Sequence, residues 1–190
     1  MARLFLAMGL CAIACGSFAA SARGVAVGES ATVRFQVVGE GASEYGEPTI
    51  IQARLTVLEV LRGASARGRL PAAIAPQHAA TAGFEYLLVR LRIAGEGSGA
   101  TRIPYEAQSE HFRIFDRAGT PYAMPAIRPP QPALIGQKIF PNESRDGWLV
   151  FRIAEQDRFP ELFFFSGQWF QLGSRPVSRS GDTVQGTQGD

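Results

Sequence analysis

The chain is poor in the residues that most chemistry requires. Of 190 residues, two are cysteine and two are histidine, and a single lysine, Lys138, stands against 18 arginines. Both cysteines, Cys11 and Cys15, lie in the first 22 residues, so removal of that segment leaves a chain without thiol, disulfide or thiolate metal site. Two isolated imidazoles, His78 and His111, fall short of the three or four protein ligands of a zinc centre. No cofactor and no metal are expected. The longest early apolar run, Leu4 to Ala14, has 11 residues, too few to anchor the chain across a bilayer. The bias of arginine over lysine, beside abundant alanine and glycine, points to a GC-rich bacterial genome.

Charge of one sign is also lacking. The formal net charge is +2, and setting aside Arg3, Arg23, Arg175, Arg179, Asp182 and Asp190 leaves 15 basic and 15 acidic residues between 24 and 172. A neutral body with interspersed signs predicts no electrostatic stripe for a phosphate backbone, and nucleic acid is not an expected partner.

What is there begins with a leader. Arg3, the apolar run and the small residues Ala20, Ser21 and Ala22 form a signal peptide over 1–22 and predict export to the periplasm or medium. Within it, Ala12, Ile13, Ala14 and Cys15, followed by Gly16 and Ser17, are similar to a bacterial lipobox, although Ala12 stands where leucine is usual. Cys15 is therefore a lipidation candidate, and an outer-membrane lipoprotein is the alternative location. The tail 173–190, "GSRPVSRSGDTVQGTQGD", has two valines and no aromatic residue; it cannot bury enough surface to offset its ordering entropy and is predicted disordered.

Between them, 24–172 reads as one domain built of strands. Val33, Phe35 and Val37 alternate within 31–39, Ile51, Ala53, Leu55 and Val57 within 50–61, and Leu87, Val89, Leu91 and Ile93 within 84–93 with Arg90 and Arg92 opposite. Shorter segments rich in aromatic and β-branched residues follow at 110–116, 147–154 and 161–172, bounded by Gly, Pro, Asn or Asp. No convincing helical stripe occurs between 24 and 172. About seven strands without helix alternation predict an all-β fold, an antiparallel two-sheet sandwich.

"RIFDRAGTPY" (113–122) shows how far chemistry can be read. Phe112 and Ile114 alternate inward, Asp116 offers an acceptor to backbone amides just ahead, and Gly119 allows the positive φ that closes a hairpin before Tyr122. Asp116 is thus expected to be structural. Ser109, His111 and Asp116 share one short extended segment and could not converge as a triad, so the chain is not expected to be an enzyme. Glu40, Glu44 and Glu47 in "EGASEYGEP" match no calcium-loop spacing. "NES" (142–144) is expected to serve a turn and "RDG" (145–147) to enter one. Phe163, Phe164 and Phe165 cannot all face one core, so at least one must cover a second surface or a partner. Gly147 is expected to let Trp148 and Phe151 into the core.

The strand "YLLVRLRIAGEG", the hairpin "HFRIFDRAGTPY", a proline-rich gap and "LIGQKIFPNESRDGWLVFRIAEQDRFPELFFF" together resemble a family of exported bacterial immunoglobulin-like domains of unknown function, akin in fold to a secreted mycobacterial immunoprotective antigen. The match covers roughly 30–172 and departs at the insertion 63–83 and the loop 119–136. It implies an immunoglobulin-like sandwich and transfers no catalytic residue. The function expected is an exported, non-enzymatic binding domain of the cell envelope, its long loops presenting a protein or envelope ligand. One alternative is an envelope hydrolase or carbohydrate-binding protein, in which His111 or an acid pair would meet an exposed Trp148 or Trp169. The other is a structural lipoprotein tethered through Cys15.

Overall fold

A computed structural model describes residues 24–37, 49–71, 82–96 and 104–173. The segment 1–22 expected to be a signal peptide, Cys11, Cys15, His78, residues 40–47 and the tail beyond Gly173 lie outside the described residues.

The long alternating segments form one antiparallel sheet. β1 (Ser30–Val37), β2 (Thr49–Arg62), β3 (Phe84–Glu96) and β8 (Ser144–Ala154) pair in the order β1-β2-β3-β8. Register places Val33 opposite Ala53, Leu55 opposite Ile93 and Leu91 opposite Gly147, so that one face of all four strands is apolar. That face contains Leu55, Val57, Leu87, Val89, Leu91, Ile93, Phe151 and Ile153, each with no exposed surface. An irregularity between Val57 and Glu59 shifts the register, after which Val60 packs toward the main core and Leu61 toward the opposite face.

The second sheet is built from shorter pieces. β5 (Phe112–Phe115), β6 (Pro121–Tyr122), β9 (Glu161–Phe164) and β10 (Gln168–Gln171) pair antiparallel in the order β10-β9-β5-β6. Phe112, Ile114, Leu162, Phe164 and Phe170 turn inward and join the apolar face of the large sheet in one hydrophobic core. Two further short strands, β4 (Tyr105–Glu106) and β7 (Lys138–Ile139), pair beside it and bury Tyr105 and Ile139. The fold is all-β with antiparallel sheets, as the period-two pattern predicts. The segment 161–172 is two strands rather than one, because Gly167 takes a φ of 95° and turns the chain back.

One helix departs from the expectation of none. α1 (Gly63–Arg69) occupies the start of the 63–83 insertion. Its sequence, GASARGR, has no apolar stripe; only Ala66 is buried, and Leu70 follows just past its end. These two side chains cover Leu88, Trp148, Val150 and Tyr86 on the outer face of the large sheet, with Leu61 and Ile127 beside them. Trp148, 1% exposed, belongs to this second cluster and not to the main core. Both insertions expected to present a ligand therefore contribute a lid: α1 from 63–83 and Ile127 from 119–136.

Gly147 has a different use from the one its sequence context suggests. A Cβ there would lie 2.6 Å from the backbone nitrogen of Leu134. The missing side chain is what lets the 132–134 segment run against β8, where the Trp148 amide donates to the Pro132 carbonyl at 2.8 Å and the Leu134 amide to the Trp148 carbonyl at 3.2 Å. "RDG" at 145–147 lies inside β8 and is not a turn. The turn precedes it, at Asn142 with a φ of 66°. Gly173, the first residue of the segment expected to be disordered, packs tightly, since a Cβ there would sit 2.3 Å from the Arg158 carbonyl oxygen.

Candidate functional site

Among the described residues, Ser109, His111 and Asp116 are each engaged in local structure. Asp116 Oδ1 accepts the amides of Ala118 at 2.9 Å and Thr120 at 2.7 Å, and Gly119 has the expected positive φ of 84°. Asp116 is the cap of a hairpin, as its spacing indicates. His111 closes a 3-10 turn, Ser109–His111, and its Nδ1 accepts from the Tyr105 hydroxyl at 2.9 Å and from the Gln108 amide at 3.3 Å. The ring is stacked 4.4 Å from Phe165 and 5.4 Å from Tyr105. Desolvation holds its pKa below the ordinary histidine value, against an opposing pull from Glu110. Burial likewise raises the Tyr105 phenol. Ser109 Oγ donates to Glu110 instead of His111. The three residues of the conceivable triad are thus each bonded to something else.

A cleft of about 430 Å³ opens beside the Asp116 hairpin, lined by Asp116, Arg117, Tyr122, Asp157, Arg158 and Phe159 among others. Tyr122 donates to Asp157 Oδ2 at 3.0 Å, and Asp157 Oδ1 accepts the Phe159 amide at 3.0 Å. Desolvation and that carboxylate push the Tyr122 pKa up to about 12. Such a phenol is a donor that stays protonated at neutral pH, not a base. The bond ties β6 to the turn after β8.

The outer face of the small sheet offers a recognisable surface. Phe163 and Phe165 flank the buried Phe164 in sequence and both leave the core. Phe165 is 38% exposed and stacks on His111, whereas Phe163 lies on the outer face. Register puts Trp169 opposite Phe163, Phe163 opposite Arg113, and Phe115 opposite Glu161. Phe163 and Trp169 centroids are 4.8 Å apart, Phe115 and Trp169 5.2 Å, Phe115 and Phe163 6.1 Å. All three rings are half-buried, and Arg113 beside them is exposed. Their planes meet at 52°, 53° and 87°. Rings so inclined support one another edge to face. They do not form the coplanar platform that a run of sugar rings would stack on. Trp148, the other residue offered for sugar stacking, is enclosed beneath α1. The three-phenylalanine run signalled this surface in the sequence; the contributions of Phe115 and Arg113 depend on strand pairing and were not visible there.

Among the described residues no group of three or more His, Cys, Asp or Glu side chains is placed to hold a metal ion. No helix among them is long and apolar enough to cross a membrane. No family model matches the chain, and no curated protein matches it. Among solved structures, one described as a "putative lipoprotein (ycdA)" from Bacillus subtilis subsp. subtilis str. 168 is similar with a TM-score of 0.48 and 15% identity over 66% of this chain. The match takes in 37% of that protein. The likeness to exported immunoglobulin-like domains therefore stands as a resemblance of sequence.

Proposed function

We propose that the chain is a non-enzymatic binding module of the bacterial envelope, exported by its leader, that engages a protein partner through the outer face of the small sheet. The observation that carries this reading is the Trp169, Phe163 and Phe115 cluster with Arg113 at its edge. Tryptophan and arginine are the residues most enriched where binding energy concentrates, and a rigid aromatic group pays little conformational entropy on contact. Glu161 and Gln171, opposite one another in register, supply a polar margin. Two four-stranded antiparallel sheets sharing one core, together with the sequence resemblance, support an immunoglobulin-like sandwich as the finer description of the scaffold.

A photo-crosslinking residue placed at Arg113 tests this in the native envelope. A discrete protein adduct is expected from Arg113, lost on Trp169→Ala, and absent when the probe is placed at Gln36 on the other sheet. An identical adduct pattern from both positions, or hydrolase turnover abolished by His111→Ala, overturns the proposal. The lipobox-like "AIACGS" favours a second reading of location, a tether through Cys15. Mass spectrometry of the mature N-terminus separates the two: a diacylglyceryl cysteine means attachment, a start at Arg23 means release.

A further inference from the structure

The large sheet has a polar half to its outer face, next to the half that α1 covers. Three rows of the register define it. Arg34 on β1 faces Gln52 on β2, which faces Glu96 on β3. In the next row Thr32 faces Arg54, which faces Ala94. In the third Ser30 faces Thr56, Thr56 faces Arg92, and Arg92 faces Asp146 on β8. Each row moves the arginine one strand over, so Arg34, Arg54 and Arg92 form a diagonal. Strand spacing and rise put successive members about 8 Å apart at Cα.

All three are exposed, Arg54 by 58% of its side chain. They are also unequally neutralised. Arg54 pairs with Glu96 at 2.5 Å, Arg34 bonds only the neutral Gln52 amide oxygen at 3.1 Å, and Arg92 has no ion pair among the described residues. Asp146 is taken by Arg90 at 2.6 Å. Among the described residues two cationic forks are therefore left without a counter-charge, in a sequence whose count between 24 and 172 is balanced. The sign neutrality of the sequence conceals this, because register and not composition decides which charges share a face.

What borders the diagonal narrows the ligand. On one side lie the hydroxyls of Ser30, Thr32 and Thr56, with Ser30 Oγ and Thr56 Oγ1 2.7 Å apart. On the other lie Glu96 and Asp146. Glu96 is held in its ionised form, first by the Gln52 amide and then by Arg54. Carboxylates beside the line repel a broad anionic surface such as a bilayer. They leave a narrow track where anionic groups meet guanidinium forks and neutral hydroxyls meet Ser and Thr. Arginine matches a carboxylate with two parallel hydrogen bonds.

We propose that the Arg34, Arg54 and Arg92 diagonal binds a linear carboxylated polysaccharide laid across the outer face of the large sheet. Such a polymer alternates the two chemistries the track provides. The site lies on the opposite sheet from the aromatic face, so one domain could hold an envelope polymer and a protein partner at once, and the two sites fail separately.

Affinity electrophoresis of the full chain through gels containing alginate tests the proposal, with dextran as the uncharged control. Retardation by alginate but not dextran is expected, weakened about tenfold in Arg34→Gln/Arg92→Gln, since each exposed charge contributes modestly. Arg113→Gln, on the other sheet, should leave it unchanged. Thr32→Glu, which removes no arginine and places a like charge in the track, should weaken it comparably and guards against a folding artefact in the double variant. No retardation at low salt overturns the proposal, as does retention equal to wild type in both variants. Tighter binding of polyphosphate, single-stranded DNA or phosphatidylglycerol vesicles than of alginate overturns the polysaccharide assignment.

Discussion

Trp148 and Trp169 are the same residue on the outer faces of two sheets in one domain, and their surroundings differ. Trp148 lies beneath α1 and Ile127, with the Arg69 guanidinium 5.6 Å above its ring. Trp169 leans on Phe163 and Phe115 and keeps part of its surface in solvent. Covering an outward aromatic residue makes it part of the fold. Leaving it partly open makes it available, and the chain has spent a helix and a loop on the first tryptophan only. An outward-facing aromatic residue thus signals an interface only once the segments that might fold back over it have been placed.

The largest expected effect comes from removing the covered residue, and a much smaller one from removing the open one. Trp148→Ala should lower unfolding free energy by about 3–5 kcal/mol, the range for large buried aromatic side chains, and Trp169→Ala by about 1 kcal/mol. Urea denaturation followed by circular dichroism checks both. Equal losses would break the comparison and place Trp169 in the fold rather than at a surface.

Next in size is Gly147→Ala. Its new methyl would meet the Leu134 backbone at 2.6 and 2.7 Å. Backbone cannot step aside as a flexible side chain can, so a loss of about 2–3 kcal/mol is expected, typical of overpacking. A neutral outcome would show that the 132–134 segment does not hold its place against β8. Leu70→Ala, which thins the cover over Trp148, should cost about 2 kcal/mol and raise quenching of tryptophan fluorescence by acrylamide. Unchanged quenching would mean that the helix is not what shields the indole.

These contrasts also show why part of the molecule was legible before its structure and part was not. Period-two alternation in β1, β2 and β3 fixes which side chains enter the core, because a strand that slips by one residue exposes its whole apolar set. Leu55, Val89 and Ile93 are where the pattern puts them. Asp116 and Gly119 were legible for a similar reason, since a hairpin turn is local chemistry. α1 was not, because seven residues with one buried alanine carry no periodic signal, and the helix is held by the sheet it covers. The aromatic surface was half legible: three consecutive phenylalanines cannot share a face, but which ring joins Trp169 depends on pairing between β5, β9 and β10. The arginine diagonal was invisible to a charge count that came out even.

A smaller effect tests the stack of His111 on Phe165 and Tyr105. His111 accepts two hydrogen bonds at Nδ1, which requires the neutral ring. With its folded pKa depressed by desolvation, the unfolded chain takes up the proton first as pH falls. Stability from this site is therefore full above the ordinary histidine range near 6.5 and declines as pH falls from there through the folded value. Thermal unfolding from pH 7.5 to 5.5 should show that decline, and His111→Phe should flatten it. A slope unchanged in His111→Phe would assign the titration to other groups, since Glu96 and Glu110, both with lowered pKa, lose their contribution in a more acidic window.

The smallest expected effect concerns the arginines, and its smallness is what makes it informative. Arg34 and Arg92 are exposed and lack a charged partner among the described residues, so replacing either by glutamine should move unfolding free energy by no more than about 0.5 kcal/mol. A large loss would make them supports of the sheet and remove the reason to look for a ligand there. A negligible one means that two charged side chains stand on a rigid face without contributing to its stability. Natural sheets do place charges outward to keep edges from pairing, and Arg34 on the edge strand β1 could serve that purpose. Arg92 lies on β3, inside the sheet, where no edge needs protection, and the outward charge there calls for a different explanation. If Arg92→Gln leaves stability intact and weakens alginate binding while Arg34→Gln alone does less, the interior arginine is the member of the diagonal whose purpose is recognition.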